Sequence, residues 1–156
     1  MLTMRRVLWV GVSWLAAACT DAKVADDPGG DVVCSAVTDD DEFAIGLVKH
    51  GTSGTLDFTI MTGNPAPPIR GDNSWVVQVT TAAGAPVANA SIVVTPFMPL
   101  HNHGAGKSVV VQAMPDAGQY QLSPVNLWMP GVWETTVQAT SASGNDAVVF
   151  KFCIPS

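Results

Sequence analysis

Charge is scarce in this chain. Only seven lysines and arginines occur in 156 residues, against thirteen aspartates and glutamates, for a net charge of −6. No basic stripe exists to neutralise phosphates, so a nucleic-acid partner is excluded. Charged residues make up 13% and apolar ones 47%, the reverse of what disorder over most of the chain needs. Histidines number three and cysteines three, too few for a multi-histidine enzyme centre or a cysteine-rich zinc site. No Gly-x-Ser-x-Gly segment or other nucleophile pattern is present, and the late carboxylates Asp57, Asp72, Asp116, Glu134 and Asp146 are widely dispersed. The reading is therefore non-enzymatic. The apolar run Val7 to Ala18 holds twelve residues without a charge, short of the roughly 20 that a helix needs to cross a bilayer.

What is there begins with an address. Arg5-Arg6 precede that apolar stretch, as a positive n-region precedes the core of a secretory signal. The run ends Leu15-Ala16-Ala17-Ala18-Cys19, which resembles a bacterial lipobox, with Leu15 one place further from the cysteine than usual. The resemblance implies a signal over residues 1–18, lipidation at Cys19, a membrane contact through that lipid, and residence in the bacterial cell envelope, at its periplasmic or outer-membrane face. An ordinary signal peptide cut nearby is the alternative.

Residues 19–42 then form an acidic leader. Eight of the thirteen acids lie there, among them Asp39-Asp40-Asp41-Glu42, and Pro28-Gly29-Gly30 marks a turn-rich stretch. The expectation is a flexible, self-repelling, solvated segment. From 43 onward five acids face four bases, so residues 43–156 form a nearly neutral domain.

Throughout that domain the apolar period is two. Leu56, Phe58 and Ile60 alternate with Thr55, Asp57 and Thr59, and Val148, Phe150, Phe152 and Ile154 do the same near the end. Short runs separated by Gly, Pro and Asn turns predict an all-β, immunoglobulin-like antiparallel sandwich of about seven or eight strands. The first strand is expected at 43–49, and 97–106 and 124–131 read as loops. Trp75, Tyr120, Trp133, Phe150 and Phe152 are expected in the core. Asp116-x-Gly118-x-Tyr120 resembles the tyrosine corner of such sandwiches, in which the hydroxyl bonds upstream backbone.

With Cys19 assigned to the lipobox, Cys34 and Cys153 remain to pair in an oxidising compartment. Closing so long a loop is worth roughly 4–5 kcal/mol in the chain-entropy model. By strand alternation Cys153 faces away from Phe150 and Phe152, so the bridge fastens the leader to the outer side of the last strand.

The chemical signal is Pro96-Phe97-Met98-Pro99-Leu100-His101-Asn102-His103-Gly104. Histidines two apart in an extended loop leave on the same side. Met98 is adjacent, and Met114 and Met129 join it if the loops gather at one end. Imidazole and thioether together suit copper, above all Cu(I). The same residues also suit a polar turn with methionines as core filler; both readings stand at the level of sequence. His50 reads as a solvated turn residue.

Pro96-x-Met98-Pro99-x-His101-x-His103-Gly104, Gly118-x-Tyr120 and Met129-Pro130-Gly131-x-Trp133 together resemble the YtkA-like domain family, over about 73–154. The resemblance implies an exported or membrane-tethered sandwich, related in pattern to FixH-type proteins, which are associated with assembly of a copper-containing oxidase. Two functions follow as expectations. One is an envelope lipoprotein whose sandwich serves interaction with a protein partner, or structural support. The other is a copper-handling lipoprotein using Met98, His101 and His103, with Met114 or Met129 completing the site.

Overall fold

A computed structural model describes residues 32–156; the expected signal over residues 1–18, the expected lipidation site Cys19 and most of the acidic 19–42 segment lie outside the described residues. Nine strands run β1 Val48–His50, β2 Leu56–Asn64, β3 Gly71–Thr81, β4 Ser91–Met98, β5 His103–Gly104, β6 Val110–Ala113, β7 Gln119–Leu127, β8 Gly131–Ser141 and β9 Gly144–Ile154. They form two antiparallel sheets, ordered β1-β2-β3-β7-β6 and β5-β4-β8-β9. With β1 set aside as an extra edge, the first sheet has the strand order of the ABED sheet of an immunoglobulin sandwich. In the second, β4-β8-β9 corresponds to CFG.

Alternation places the core. Leu56, Phe58 and Ile60 of β2, Trp75, Val77 and Val79 of β3, Trp133 and Val137 of β8, and Phe150, Phe152 and Ile154 of β9 are buried between the sheets. Trp75 meets Phe152 edge-on at 5.6 Å and Phe150 at 6.5 Å between ring centroids, the geometry the ring quadrupoles favour. All five expected core aromatics are buried.

The differences from the alternation pattern have local causes. The first strand is shorter than 43–49: Gly46 takes φ +90°, and the chain turns before β1 begins at Val48. Phe43 instead packs edge-on against Phe152 at 5.4 Å. Residues 124–127 are strand rather than loop: Val125–Leu127 pair with Gly71–Asn73, and an extra residue in β7 between Leu122 and Val125 shifts the register and sets Val125 and Leu127 inward. β4 also runs on to Met98, and a 3-10 turn, Pro99–His101, leads into β5.

Tyr120 is buried, and its hydroxyl does bond upstream backbone. Tyr120 Oη donates to the Val87 carbonyl at 2.7 Å and accepts from the Ala90 N–H at 2.8 Å. In a tyrosine corner the partner lies a few residues back; here it lies 30–33 residues back, on the segment that crosses from β3 in one sheet to β4 in the other. The ring thus ties the two sheets. Gly118, at φ +78°, lets β7 approach this crossover: a Cβ there would lie 2.7 Å from the Val79 carbonyl oxygen.

Cys34 and Cys153 form a disulfide across a sequence separation of 119. The expected free acidic segment is corrected at Asp39 and Asp41. The Asp41 N–H donates to the Lys151 carbonyl at 2.6 Å, the Lys151 N–H donates to Asp41 Oδ2 at 2.7 Å, and Lys49 Nζ reaches the same carboxylate. Lys151 Nζ binds Asp39 at 2.5 Å. Repulsion within the segment loses to two lysines on the neighbouring strands, and the acids run along the otherwise open edge of β9.

Candidate functional site

The strand directions divide the sandwich into two ends. One holds the turns at 51–55, 82–90, 114–118 and 142–143. The other holds 65–70, 99–107 and 128–130 together with the chain termini of the described residues.

At the second end the Met–His loop folds back on itself. Asn102 caps the 3-10 turn in the left-handed region, at φ 52° and ψ 44°, and this reversal brings β5 back along β4. The register sets His103 opposite Met98, so the two side chains share the inner face of the sheet. Met98 is fully buried; its methyl occupies the space that a Cβ on Gly131 would need. His103 lies between two indoles, stacked on Trp128 at 5.0 Å and edge-on to Trp133 at 5.7 Å. The His101 ring centroid is 5.8 Å from that of His103, and His101 itself is exposed.

The polar bookkeeping of His103 is incomplete. Nδ1 lies 3.0 Å from the Gly104 carbonyl. A carbonyl only accepts, so Nδ1 carries the proton, and in the neutral ring Nε2 presents a lone pair. That Nε2 is buried and has no hydrogen-bond partner. A buried acceptor without a donor costs about 1–3 kcal/mol, and an electrophile at this nitrogen would recover it.

Around the histidines the rim is apolar and cationic. Leu100, Ile69 and Trp128 are 56%, 51% and 42% exposed. Arg70 Nε donates to the Trp128 carbonyl at 3.0 Å, and Lys107 pairs with Asp72 at 2.5 Å. The Asp72 carboxyl is held below the usual range, first by the Lys107 bond and then by the Asn126 side-chain donor. Asn73 anchors the 65–70 loop by accepting from the Ile69 N–H and donating to the Ile69, Gly71 and Val125 carbonyls.

Not every expected ligand is brought in. Met129 belongs to this end, half-buried against the core, where its carbonyl accepts from Trp133 Nε1 at 2.9 Å. Met114 does not. It sits in the β6–β7 turn beside Gln119, and the nine residues of β7 separate that turn from Trp128, a run of about 26 Å. The antiparallel hairpin forces this, so Met114 is removed from the candidate set. His50 is also more than a solvated turn: its Nδ1 meets Asp57 Oδ1 at 2.6 Å. Among the described residues no three of His, Cys, Asp and Glu gather as a metal cluster. A metal here would rely on methionine sulfur beside imidazole.

Trp128 escaped the sequence reading. An aromatic immediately before Met-Pro in a stretch read as irregular was the available signal. Asp146 escaped too. At the opposite end its carboxylate accepts N–H bonds from Ser53, Thr55, Leu56 and Ala147 at 2.8–3.1 Å. Burial pushes its pKa up, but the bonds from Ser53, Leu56 and Ala147 outweigh that and hold it well below the ordinary range. The shallow groove beside it, about 350 Å³ and lined by Thr52, Ser53, Gln138 and Asn145, therefore has a carboxylate already committed to the backbone.

The architecture and the loop end define an antiparallel β-sandwich with a histidine–tryptophan–methionine cluster at one edge of its core. A family model described as YtkA-like matches residues 51–138, more than half of the chain, and the chain belongs to that family. The match begins earlier than the 73–154 resemblance and ends before β9. Comparison with curated proteins and with solved structures gives no match.

Proposed function

We propose that the protein is a non-enzymatic bacterial envelope lipoprotein, tethered through Cys19, whose YtkA-like sandwich serves as an interaction or supporting module outside the cytoplasm. The observation that carries this is the Cys34–Cys153 bridge. Such a bond persists where thiols are not kept reduced, and it joins the leader behind the lipobox to the last strand of the domain. The test is mass analysis of the N-terminal peptide from native membranes, with Cys19→Ser beside it. A diacylglycerol-bearing Cys19, and release of the variant into the soluble fraction, are expected. An unmodified N-terminus with unchanged fractionation would overturn the tether.

A second reading, copper handling, is favoured by one specific observation: the buried, partnerless Nε2 lone pair of His103 on the same sheet face as Met98. Imidazole and thioether are the donors that Cu(I) prefers, and His101 and Met129 are the remaining candidates at that end. A bound ion would draw on these lone pairs without redox work by the chain. Titration with Cu(I) against a competing chelator tests it. His101→Ala/His103→Ala removes two candidate ligands and is expected to weaken binding at least about tenfold, the least that the loss of even an outer-shell partner costs. Equal, weak binding by both forms would end the copper reading.

A further inference from the structure

The chain leaves the described domain at a particular place. The Val32 N–H donates to Ser156 Oγ at 2.8 Å, and Cys34 is bonded to Cys153, which pairs in register with Val132. The next residue of β8, Gly131, lies against the Met98 methyl. The leader therefore exits at the histidine end, and the disulfide keeps it there.

Surface character follows the same division. Val33, Ile69, Leu100 and Trp128 are exposed at this end, and none of the exposed large apolar side chains among the described residues lies in the turns of the other. Arg70 and Lys107 are here as well, Lys107 in an ion pair with Asp72. The opposite turns and the strand ends beside them carry Asp57, Asp116 and Asp146 against a single lysine, Lys49.

Thirteen residue steps separate Cys19 from Val32, a reach of at most about 45 Å. The longest strands have 11 residues, so the sandwich is about 35 Å long. Bringing the acidic end to a membrane would consume most of the tether. Bringing the histidine end there consumes almost none.

We propose that this end of the sandwich, with Trp128, Leu100 and Ile69 at its tip and Arg70 and Lys107 beside them, lies against the headgroup region of an anionic phospholipid surface. An indole with a polar edge settles at such an interface, aliphatic tips add burial, Arg70 meets lipid phosphates, and Lys107 can exchange its exposed pairing with Asp72 for another. The assignment rests on the tether at Cys19. It adds to that tether an orientation: the candidate metal residues face the membrane.

The test uses the lipidated mature protein in vesicles of phosphatidylethanolamine and phosphatidylglycerol carrying brominated acyl chains. Trp75 and Trp133 are fully buried, so quenching of indole emission reports Trp128. A loss of about a third of the emission is expected, one interfacial indole in three. Trp128→Phe should abolish it, and Arg70→Gln/Lys107→Gln should reduce it at least about twofold on anionic vesicles and leave it unchanged on phosphatidylcholine. Mass analysis of Cys19 is read separately. A lipidated protein with no quenching, or with quenching equal in Trp128→Phe, overturns the orientation and leaves the tether intact. An unlipidated Cys19 overturns both. Concentration-dependent dimerisation lost in Leu100→Ser, without quenching, would assign the patch to a second copy and also overturn it.

Discussion

The two ends of the sandwich solve the problem of loop polarity in opposite ways. At the acidic end the chain satisfies itself. Asp146 takes four backbone N–H groups, the Tyr120 hydroxyl both donates and accepts on the crossover, and Gly118 admits the close approach that makes this possible. At the histidine end the framework is tied by Asn73 and Asp72, but the tip is left unfinished, with a partnerless imidazole nitrogen and three exposed apolar side chains. Buried polar groups without partners and clustered apolar tips both carry a cost in a free domain. Trp75 Nε1 and Thr135 Oγ1 lack partners too, but inside the strands; only at the histidine end does such an atom adjoin exposed apolar tips, which marks that end as the one that engages something else.

The largest effect should come from the finished end. Asp146→Ala strips the shared acceptor from Ser53, Thr55, Leu56 and Ala147. A loss of about 2–4 kcal/mol is expected in denaturant unfolding, because hydrogen bonds to a charged acceptor are the stronger kind and the buried Leu56 N–H is left without a partner. The same carboxylate gives the fold a pH signature. Its folded pKa is depressed, so its contribution is complete above the unfolded value of about 4 and drains away as pH falls from there toward the depressed value. Asp146→Asn should lose stability at neutral pH and show a flatter acid limb. A limb as steep as that of the wild type would assign acid sensitivity to other carboxylates. Next in size is Tyr120→Phe. It removes both bonds across the sheets and leaves the Val87 carbonyl and the Ala90 N–H to find water; about 1–3 kcal/mol is expected, read by the midpoint of thermal or urea unfolding. A change below about 0.5 kcal/mol would mean that the crossover is held by packing alone.

Much of this contrast was hidden from the sequence, and the reason is physical. Alternation reports which face a side chain takes, so Leu56, Phe58, Trp133 and Phe150 were legible as core, and with them the sandwich. Cysteine arithmetic gave the Cys34–Cys153 pair because exclusion of Cys19 left no other partner. Alternation carries no information about which turns share an end. Met114 joins His103 only if the loops gather, whereas the β6–β7 hairpin directs it the other way. Asp146 looked like one dispersed acid among five because its partners are backbone groups about 90 residues away, and backbone donors leave no residue-type signature. Asp39 and Asp41 read as solvated because of distance along the chain: Lys49 is eight residues beyond Asp41, and Lys151 arrives only through the fold.

The smallest expected effect on stability is the sharpest test of the comparison. His103 is wedged between Trp128 and Trp133 with Nε2 buried and unsatisfied. If the ring were ordinary core, replacing it would open a cavity or break a bond and cost a few kcal/mol, as at the other end. Its one hydrogen bond, Nδ1 to the Gly104 carbonyl, lies at an exposed residue where water can substitute. Leucine in its place gives up that bond but removes a buried acceptor with no donor, so the two changes oppose each other. His103→Leu should therefore unfold within about 1 kcal/mol of the wild type, while losing whatever the lone pair recruits, Cu(I) being the probe to try. Destabilisation of about 3 kcal/mol or more would place His103 among the groups that hold the sandwich together, and the histidine end would then be as finished as its opposite.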